Sequence, residues 1–363
     1  MCQICLTNPS VQVTLDHRIE VKENSIPELK PGEVLINPRA TGICGSDIHL
    51  WKHGQIGELK LHGNLVLGHE AAGDIVGVGD GVHNVKIGDR VAIEPGIPCH
   101  ECFLCRQGDY NLCQSVKFIG IYPNPGSMQR YLVHDARYVY KIPSNMSYSQ
   151  GALVEPVSVA YHGVTRAQLV LGQGVLIAGA GPIGLVTLLL TNASGCTPIV
   201  ISDLSEKRLS FAKRLVPHAK TYKFDPKITS QLNAANIRNL FGPGEENAPS
   251  HVLECTGVES SIITGAYATR RSGTLVIIGV GKDIINNFPF MHLSFAEIEK
   301  FINRYHDTWP TVIKMISKKI INVDQLVTHR FPMEKVQEAI ELAGNPSKGS
   351  IKVIIEDNAN LHH

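Results

Sequence analysis

The sequence lacks an excess of charge of either sign, a long apolar run and a basic segment. Its 363 residues include 34 lysines and arginines against 33 aspartates and glutamates, a formal net charge of +1. This balance disfavours a general nucleic-acid-binding protein, and the absence of a basic run disfavours a membrane-surface anchor. The longest nearly apolar run, 175–190, is too short to cross a bilayer comfortably and is broken by three glycines and a proline.

The N-terminus has neither the basic start nor the apolar stretch of a secretory signal, so a cytoplasmic protein is expected. Nine cysteines are too few for a disulfide scaffold in a chain of this length. Internal repeats and low-complexity segments are also missing. Hydrophobic residues make up 43% of the chain and charged residues 18%, which is an ordinary globular composition. The length predicts two or three domains.

Two patterns follow one another along the chain. The first 150 residues contain short β-branched runs separated by turn residues, which predicts a compact, mainly β domain. From residue 174, apolar strands alternate with helical stretches, which predicts βαβ units and a parallel sheet covered on both faces. The expected strands are 175–178, 198–202, 251–255, 274–278 and 352–355, and the expected helices are 150–169, 183–193, 206–215 and 311–319. Whether the tail from about residue 294 returns to the first domain is open.

A glycine-rich motif follows the first of these strands. Gly179-Ala-Gly-Pro-Ile-Gly184 has the spacing G-x-G-x-x-G, and Asp203 ends the next strand, nineteen positions after Gly184. Gly179 and Gly181 allow close approach to a pyrophosphate, and Gly184 lets the helix pack on the sheet. A carboxylate at Asp203 would bind the adenosine ribose and repel a 2′-phosphate, which favours NAD over NADP. The alternative is a glycine turn in another doubly wound fold.

Four cysteines lie within fifteen positions, with the spacing C-x2-C-x2-C-x7-C: Cys99, Cys102, Cys105 and Cys113. Four thiolates in so short a loop can close the tetrahedral shell of a structural zinc ion. An iron–sulfur cluster is the nearest alternative, but the last gap is seven rather than three and no proline follows Cys113. A nucleic-acid zinc ribbon is disfavoured because the loop has no basic excess.

A second set of candidate residues is dispersed along the chain: Cys44, Ser46, His49, His69, Glu70 and Glu155. Each alone carries little weight. Ser46 and His49 could serve simply to cap a turn and a helix start, and Glu155 could be a carboxylate favoured by the helix dipole. Their combination with a dinucleotide motif and a cysteine loop gives them their significance.

Taken together, these residues resemble the zinc-dependent medium-chain dehydrogenases over nearly the whole chain. Within that superfamily the similarity is greatest to the polyol dehydrogenases, the group of sorbitol, xylitol and L-arabinitol 4-dehydrogenases. The similarity is carried by the segments 42–49, 67–71, 89–96, 153–159, 254–259 and 327–332. Glu155 stands where alcohol dehydrogenases of the superfamily have a zinc-binding cysteine, and Arg304-Tyr305 followed by Thr308-Trp-Pro310 is a second polyol-type marker.

The resemblance implies an α/β fold, with a GroES-like, mainly β catalytic domain and a doubly wound, Rossmann parallel-sheet nucleotide-binding domain. The catalytic domain would comprise 1–157 and 298–363, and the NAD-binding domain 158–297. The resemblance further implies NAD, one catalytic and one structural zinc ion per chain, and a homotetramer, with a dimer as the alternative.

The resemblance also implies site residues. The catalytic zinc is expected at Cys44, His69 and Glu70, with Glu155 either coordinating the zinc or holding a zinc-bound water. The implied cofactor contacts, beside the three glycines, are Pro182, Ile183, Asp203, Arg208, Ile278, Val280, Ile302, Asn303 and Arg304. The implied substrate contacts are Leu50, Glu155, Arg304 and Tyr305. Leu50 and Ile302-Asn303 depart from the family pattern, which leaves the identity of the substrate open. From its position alone, Arg208 could equally be a solvated helix charge, and Arg304 could pair with a surface acid.

The implied reaction is the NAD-linked oxidation of a secondary hydroxyl of a polyol to a ketose. Ser46 would accept the hydroxyl proton, which would then pass through the cofactor ribose to His49, whose ordinary pKa of about 6.5 suits release to solvent. L-arabinitol is the first expectation, and sorbitol and xylitol follow. Threonine or a simple alcohol is the main rival substrate, and a non-enzymatic NAD-binding protein is the alternative of another class.

Overall fold

The structure, a computed structural model, describes residues 7–281, 284–298 and 304–357. Its strands are β1 (Asn8–Val13), β2 (Ile19–Asn24), β3 (Glu33–Gly42), β4 (Gln55–Ile56), β5 (Leu59–Lys60), β6 (Leu65–Val66), β7 (Glu70–Val78), β8 (Arg90–Ile93), β9 (Gly96–Ile97), β10 (Lys117–Phe118), β11 (Leu132–Asp135), β12 (Val139–Lys141), β13 (Val175–Ala178), β14 (Ile199–Asp203), β15 (Lys220–Lys223), β16 (His251–Glu254), β17 (Thr274–Ile277), β18 (Val327–Pro332) and β19 (Lys352–Glu356). Its helices are α1 (Gly45–His53), α2 (Phe103–Arg106), α3 (Tyr148–Ala152), α4 (Val154–Ala167), α5 (Pro182–Ala193), α6 (Glu206–Leu215), α7 (Ser230–Asn239), α8 (Glu259–Ala268), α9 (Phe290–Ala296), α10 (Trp309–Ser317) and α11 (Val336–Ala343).

The chain forms two compact units. Unit 1 comprises Met1–Glu155, Trp309–Lys318 and Leu326–His363, and unit 2 comprises Pro156–Thr308 and Lys319–Gln325. The predicted domains, 1–157 with 298–363 and 158–297, stay predictions.

Unit 1 is built around a mainly antiparallel sheet in the order β12-β8-β7-β3-β19-β18, with β11 paired to part of β3. Alternating buried side chains such as Val34 and Ile36 place one apolar core against this sheet. The tail of the chain returns to this sheet, because β19 pairs antiparallel with β3 and Ile354 lies opposite Gly42. In the neighbouring pair of β3 and β7, Gly42 lies opposite Glu70. The register therefore brings three distant parts of the sequence to one end of β3.

Unit 2 contains the predicted parallel sheet, in the order β15-β14-β13-β16-β17. The strand order reverses between β13 and β16, and in such sheets ligands bind at the carboxyl ends of the strands beside this reversal. The helix α5 packs almost wholly buried apolar residues against the sheet and begins at Pro182, where its fixed φ suits a first helical turn. The doubly wound α/β architecture predicted for this part is confirmed.

The predicted helix 150–169 is corrected to two helices, α3 and α4, interrupted at Leu153. Pro156 explains the break, because it has no N–H to donate to the carbonyl of Ala152 and its ring clashes with that carbonyl. The elements β15, α7, α8 and α11 are further additions to the predicted set. Among the described residues, every helix is too short or too polar to be a membrane-spanning segment.

Candidate active site

Three of the predicted metal ligands meet in unit 1. One ligand atom from each of Cys44, His69 and Glu70 lies within 4.8 Å of the others. His69 and Glu70 are buried, and Cys44 is partly exposed. A cluster of sulfur, imidazole and carboxylate donors with one partly open side fits a catalytic zinc centre, which keeps a position for substrate.

The start of α1 holds Cys44 in place. Cys44 is the N-cap residue, with extended φ and ψ of −95° and 157°, and its N–H donates to Oδ2 of Asp47 at 2.8 Å. The other oxygen of Asp47 accepts from the N–H of Gly68 at 3.2 Å. Gly68 has a φ of +94°, a conformation that favours glycine, directly before His69. Asp47 therefore connects the helix start to the turn that carries His69, the second predicted ligand.

Asp47 also faces the imidazole of His69, whose Nδ1 lies 3.8 Å from Oδ1 of Asp47. A carboxylate behind a histidine ligand fixes the orientation of the ring and strengthens it as a donor. Burial opposes the charge on His69, but the negative charges of Cys44 and Asp47 raise the pKa of His69 well above its usual value. A site this negative suits a divalent cation, so the residues present fit the metal.

Glu70 is held by a partner that the sequence reading did not find. Both of its carboxylate oxygens accept from Nζ of Lys352, at 2.8 and 2.6 Å. A Cβ atom on Gly42 would come 2.1 Å from Oε2 of Glu70, so only glycine leaves room for this carboxylate. Burial opposes the charge on Lys352, but the carboxylate of Glu70 raises the pKa of Lys352 above its usual value, and the ammonium stays charged.

The other predicted residues of unit 1 differ in how far their side chains are buried. Ser46 is in the first turn of α1, with its Oγ 3.4 Å from Nε2 of His69. His49 follows one turn later and is exposed. Glu155 is buried at the start of α4, and its carboxylate is outside the group of three ligand atoms that meet within the described residues. Leu50 is 2% exposed in the apolar core, which does not favour a substrate contact.

The cysteine loop brings four sulfur atoms together. The ligand atoms of Cys99, Cys102, Cys105 and Cys113 all lie within 4.8 Å of one another, and none of the four forms a disulfide. The Sγ of Cys105 is 3.4 Å from that of Cys102 and 3.9 Å from that of Cys99. Neighbouring sulfurs in a tetrahedral shell with Zn–S bonds of about 2.3 Å are about 3.8 Å apart.

The pKa values of the thiols in this loop also indicate a site for a cation. Backbone N–H groups of Glu101 and Cys102 lower the pKa of the Cys99 thiol to about 6. Burial, together with the neighbouring thiols, raises the pKa of Cys105 to about 12. Backbone donors aimed at sulfur stabilise a thiolate, and a second thiolate beside the first needs a neutralising metal. The four cysteines therefore fit a structural zinc ion.

In unit 2 the glycine-rich motif forms the turn between β13 and α5. Gly179 has a φ of +103°, and a Cβ on Gly184 would come 1.9 Å from the carbonyl oxygen of Gly179. The helix therefore approaches the strand as closely as the motif predicts. The N-cap residue Gly181 offers no side chain to the first N–H groups of α5, which stay available to a phosphate. Pro182 and Ile183 open the helix and are partly exposed.

Asp203 and Arg208 flank this turn. Asp203 ends β14, and its two oxygens accept from the N–H groups of Ala180 and Ser205 at 2.7 and 2.8 Å. Arg208 lies on α6 with Nη1 4.0 Å from the position of a Cβ on Gly181. Its Nε is buried without a hydrogen-bond partner among the described residues. A carboxylate at the strand end and a guanidinium over the glycine turn suit the ribose and the phosphate or adenine of a dinucleotide.

Two further loops meet beside the strand reversal. Glu254, fully buried at the end of β16, accepts from the N–H groups of Thr256 and Gly257 at 3.0 and 2.9 Å. A Cβ on Gly257 would come 2.5 Å from the backbone of Val280, so the segments after β16 and β17 touch through their backbones. Ile278 is held there through its N–H, which donates to the carbonyl of Glu254 at 2.8 Å.

Two family models match separate segments of this chain. The family model described as alcohol dehydrogenase GroES-like domain matches residues 30–144, and the one described as zinc-binding dehydrogenase matches residues 182–318. The L-arabinitol 4-dehydrogenase of Talaromyces emersonii is 47% identical over 342 residues, which cover 93% of this chain and 87% of the relative. The chain belongs to the zinc-binding dehydrogenase family. The predicted family and the GroES-like fold are confirmed.

Other relatives of this dehydrogenase agree. The sorbitol dehydrogenase of Mus musculus is 43% identical over 344 residues, which cover 94% of each chain. Among solved structures, an Escherichia coli oxidoreductase/dehydrogenase of unknown specificity superposes with a TM-score of 0.88 at 32% identity, covering 97% of this chain and 100% of that one. The chain is therefore an oxidoreductase, as predicted.

The remaining predicted residues of this dehydrogenase are Ile302, Asn303, Arg304 and Tyr305. Ile302 and Asn303 lie outside the described residues. Arg304 follows directly, is partly exposed and has a φ of +47°. Tyr305 is buried, with 4% of its surface exposed.

Sequence reasoning missed four residues that support the sites: Gly42, Asp47, Glu254 and Lys352. Two of them left a visible signal. Asp47 stands three residues after Cys44, the spacing of a capping box at a helix start. Lys352 is a single lysine in an otherwise apolar segment, Ile351–Ile355, which predicts a buried and therefore paired charge.

Proposed function

We propose that this dehydrogenase oxidises a secondary hydroxyl of a polyol to a ketose with NAD, and that its substrate is L-arabinitol, oxidised at C4. The single observation that carries the chemistry is the meeting of Cys44, His69 and Glu70 within 4.8 Å. The names of the relatives, L-arabinitol 4-dehydrogenase and sorbitol dehydrogenase, support a polyol as the substrate class. Sorbitol and xylitol are the alternative substrates.

Zinc is proposed at two places: a catalytic ion at Cys44, His69 and Glu70, and a structural ion at Cys99, Cys102, Cys105 and Cys113. The catalytic ion supplies Lewis-acid chemistry, which lowers the pKa of a bound hydroxyl. Asp47 holds the ring of His69 in place for this role, and Lys352 and Gly42 hold Glu70.

The proton leaves through α1 in our proposal. Ser46 accepts it from the substrate hydroxyl, because its Oγ lies against the ligand His69. His49, exposed one helical turn later, would release it to solvent. The exposure of His49 supports this direction, since a proton must end in water.

The polyol is proposed to contact Glu155, Arg304 and Tyr305, which can accept from and donate to several hydroxyl groups. Glu155 either coordinates the metal or holds a water on it. Leu50 stays the least supported member of the predicted substrate contacts, because its side chain is in the core.

NAD is proposed to bind in unit 2, where it would supply the hydride acceptor for the oxidation. Its pyrophosphate would lie on Gly179, Gly181 and Gly184 with Pro182 and Ile183, and its adenosine ribose on Asp203. The other proposed contacts are Arg208, Ile278, Val280, Ile302, Asn303 and Arg304. A carboxylate at Asp203 favours NAD, because it repels the 2′-phosphate of NADP.

A cytoplasmic homotetramer is proposed as the working form. Four free cysteines suited to a metal fit a reducing compartment. An interface between copies would cover Phe290, Met291 and Phe295 of α9, which are large, apolar and exposed.

The test is NADH formation by the purified, zinc-loaded protein with L-arabinitol, xylitol, D-sorbitol, galactitol, threonine and ethanol. NAD and NADP are supplied in separate reactions. We expect NAD-linked turnover of at least one polyol well above that of threonine and ethanol, with L-arabinitol as the best substrate. Activity confined to threonine or ethanol would contradict the polyol assignment and the roles of Glu155 and Arg304.

A further inference from the structure

Lys352 is a buried cation in direct contact with a metal ligand. It begins β19, and only 3% of its surface is exposed. A lysine is rarely this buried unless its charge is paired, because removing an ammonium ion from water is costly. In this chain the pairing partner is Glu70.

The contacts of Lys352 use its full donor capacity. Its Nζ donates to Oε1 and Oε2 of Glu70 at 2.8 and 2.6 Å and to the carbonyl oxygen of Ile43 at 3.2 Å. Ile43 directly precedes Cys44, and its N–H donates to the carbonyl of Val353 at 2.9 Å. One ammonium group therefore spans the strand of Glu70 and the segment that carries Cys44.

This arrangement gives Glu70 two competing partners. Its ligand atom lies within 4.8 Å of those of Cys44 and His69, while both of its oxygens accept from Lys352. A carboxylate that shares its lone pairs with an ammonium group is a weaker metal donor than a free carboxylate, because the two cations compete for the same oxygens and repel each other. Because Gly42 has no Cβ atom, the carboxylate of Glu70 can occupy this position.

We propose that Lys352 is a positioning residue that holds Glu70 as a carboxylate shared between its own ammonium group and the metal. This sharing limits how strongly Glu70 binds the metal and keeps a ligand position open for the substrate. The inference rests on the proposed catalytic centre. It predicts an effect of a particular sign: without Lys352, the metal is held more tightly and catalysis is slower.

A purely structural role predicts the opposite sign. If Lys352 only fastened β19 to β3 and β7, its loss would loosen the ligand set and speed the release of metal. In our proposal its loss frees the lone pairs of Glu70 and removes a positive charge that repels the metal. Loss of a group that supports a metal ligand typically costs about 10- to 100-fold in metal affinity. We expect an effect of the same size, with the opposite sign, for the loss of a group that competes with the metal.

The experiment compares zinc-loaded wild type with Lys352→Met, Lys352→Arg and the matched control Lys348→Met, an exposed lysine four residues earlier. The rate of zinc release to a chelator is measured. Because Cys44→Ser should bind only the structural zinc, this variant identifies the release from Cys99, Cys102, Cys105 and Cys113. Cobalt(II)-substituted samples report the coordination of the metal through their visible absorption.

We expect Lys352→Met to release the catalytic zinc about 10- to 100-fold more slowly than wild type, with an altered cobalt spectrum and a lower kcat. Lys352→Arg should return all three readouts towards wild type, and Lys348→Met should match wild type. Faster or unchanged release with an unchanged spectrum would overturn the inference. Wild-type protein that binds zinc only at the four cysteines of the loop would instead refute the proposed catalytic centre.

Should Lys352→Met fail to fold, Lys352→Gln provides the same test. Its amide can donate hydrogen bonds but carries no charge. Slower zinc release in this variant supports the proposal, and release at the wild-type rate or faster overturns it.

Discussion

Replacing Cys44 by serine is expected to remove one zinc ion per chain and to lower polyol turnover by about 1,000-fold or more. The thiolate is one of three protein donors that meet at the proposed catalytic centre. A Lewis acid contributes several kcal/mol to such a reaction, and about 4 kcal/mol corresponds to about 1,000-fold in rate. Zinc content by elemental analysis and NADH formation with L-arabinitol measure the two effects.

Cys196→Ser is the matched control for this change. Cys196 is also a cysteine outside any disulfide, but it is buried, lies in unit 2 and belongs to neither group of candidate ligands. It should keep two zinc ions and wild-type turnover. If Cys44→Ser also keeps both zinc ions and its turnover, the ligand set proposed for the catalytic metal is wrong.

Replacing Asp203 by alanine is expected to change the cofactor preference. We expect kcat/KM for NAD to fall by about 10- to 100-fold, because a charge-assisted hydrogen bond contributes about 1.5–3 kcal/mol. With NADP, kcat/KM should rise, because the carboxylate no longer repels the 2′-phosphate. Initial rates at varied concentrations of each cofactor, with a saturating polyol, give the ratio.

Two controls separate this effect from a loss of structure. Glu206→Ala removes an exposed carboxylate three residues later, at the start of α6, and should leave the preference unchanged. Thermal unfolding of Asp203→Ala reports the loss of the bonds that Asp203 accepts from Ala180 and Ser205. A folded Asp203→Ala variant that still prefers NAD by the wild-type ratio would show that Asp203 does not set the choice of cofactor.

Local signals made much of the fold and the metal centres predictable. The four cysteines lie in one short loop, and the glycine motif spans one strand and one turn. Both sites could therefore be recognised without knowing which distant residues are in contact. The alternation of strands and helices from residue 174 predicted the parallel sheet for the same reason. The break at Leu153 was also readable in principle, since Pro156 removes a helical hydrogen bond to Ala152.

Long-range pairing was not predictable from one sequence. The register that sets Gly42 opposite Glu70, and Ile354 opposite Gly42, depends on which strands meet. Lys352 lies 282 positions from Glu70, so nothing local connects the ammonium group to its carboxylate. The burial of Leu50 was likewise not predictable, because the core cluster to which it belongs includes residues of β19, α11 and other distant segments.

The most direct test of the account is the fate of a deuterium label. Zinc-loaded enzyme is incubated with NAD and L-arabinitol that carries deuterium at C4, and the reduced cofactor and the ketose are analysed by mass spectrometry. The account predicts that the deuterium moves to the nicotinamide ring and is absent from the ketose. Unlabelled NADH with the deuterium retained in the product would contradict oxidation at C4, and no reduced cofactor from fully zinc-loaded protein would contradict the proposed reaction with L-arabinitol itself.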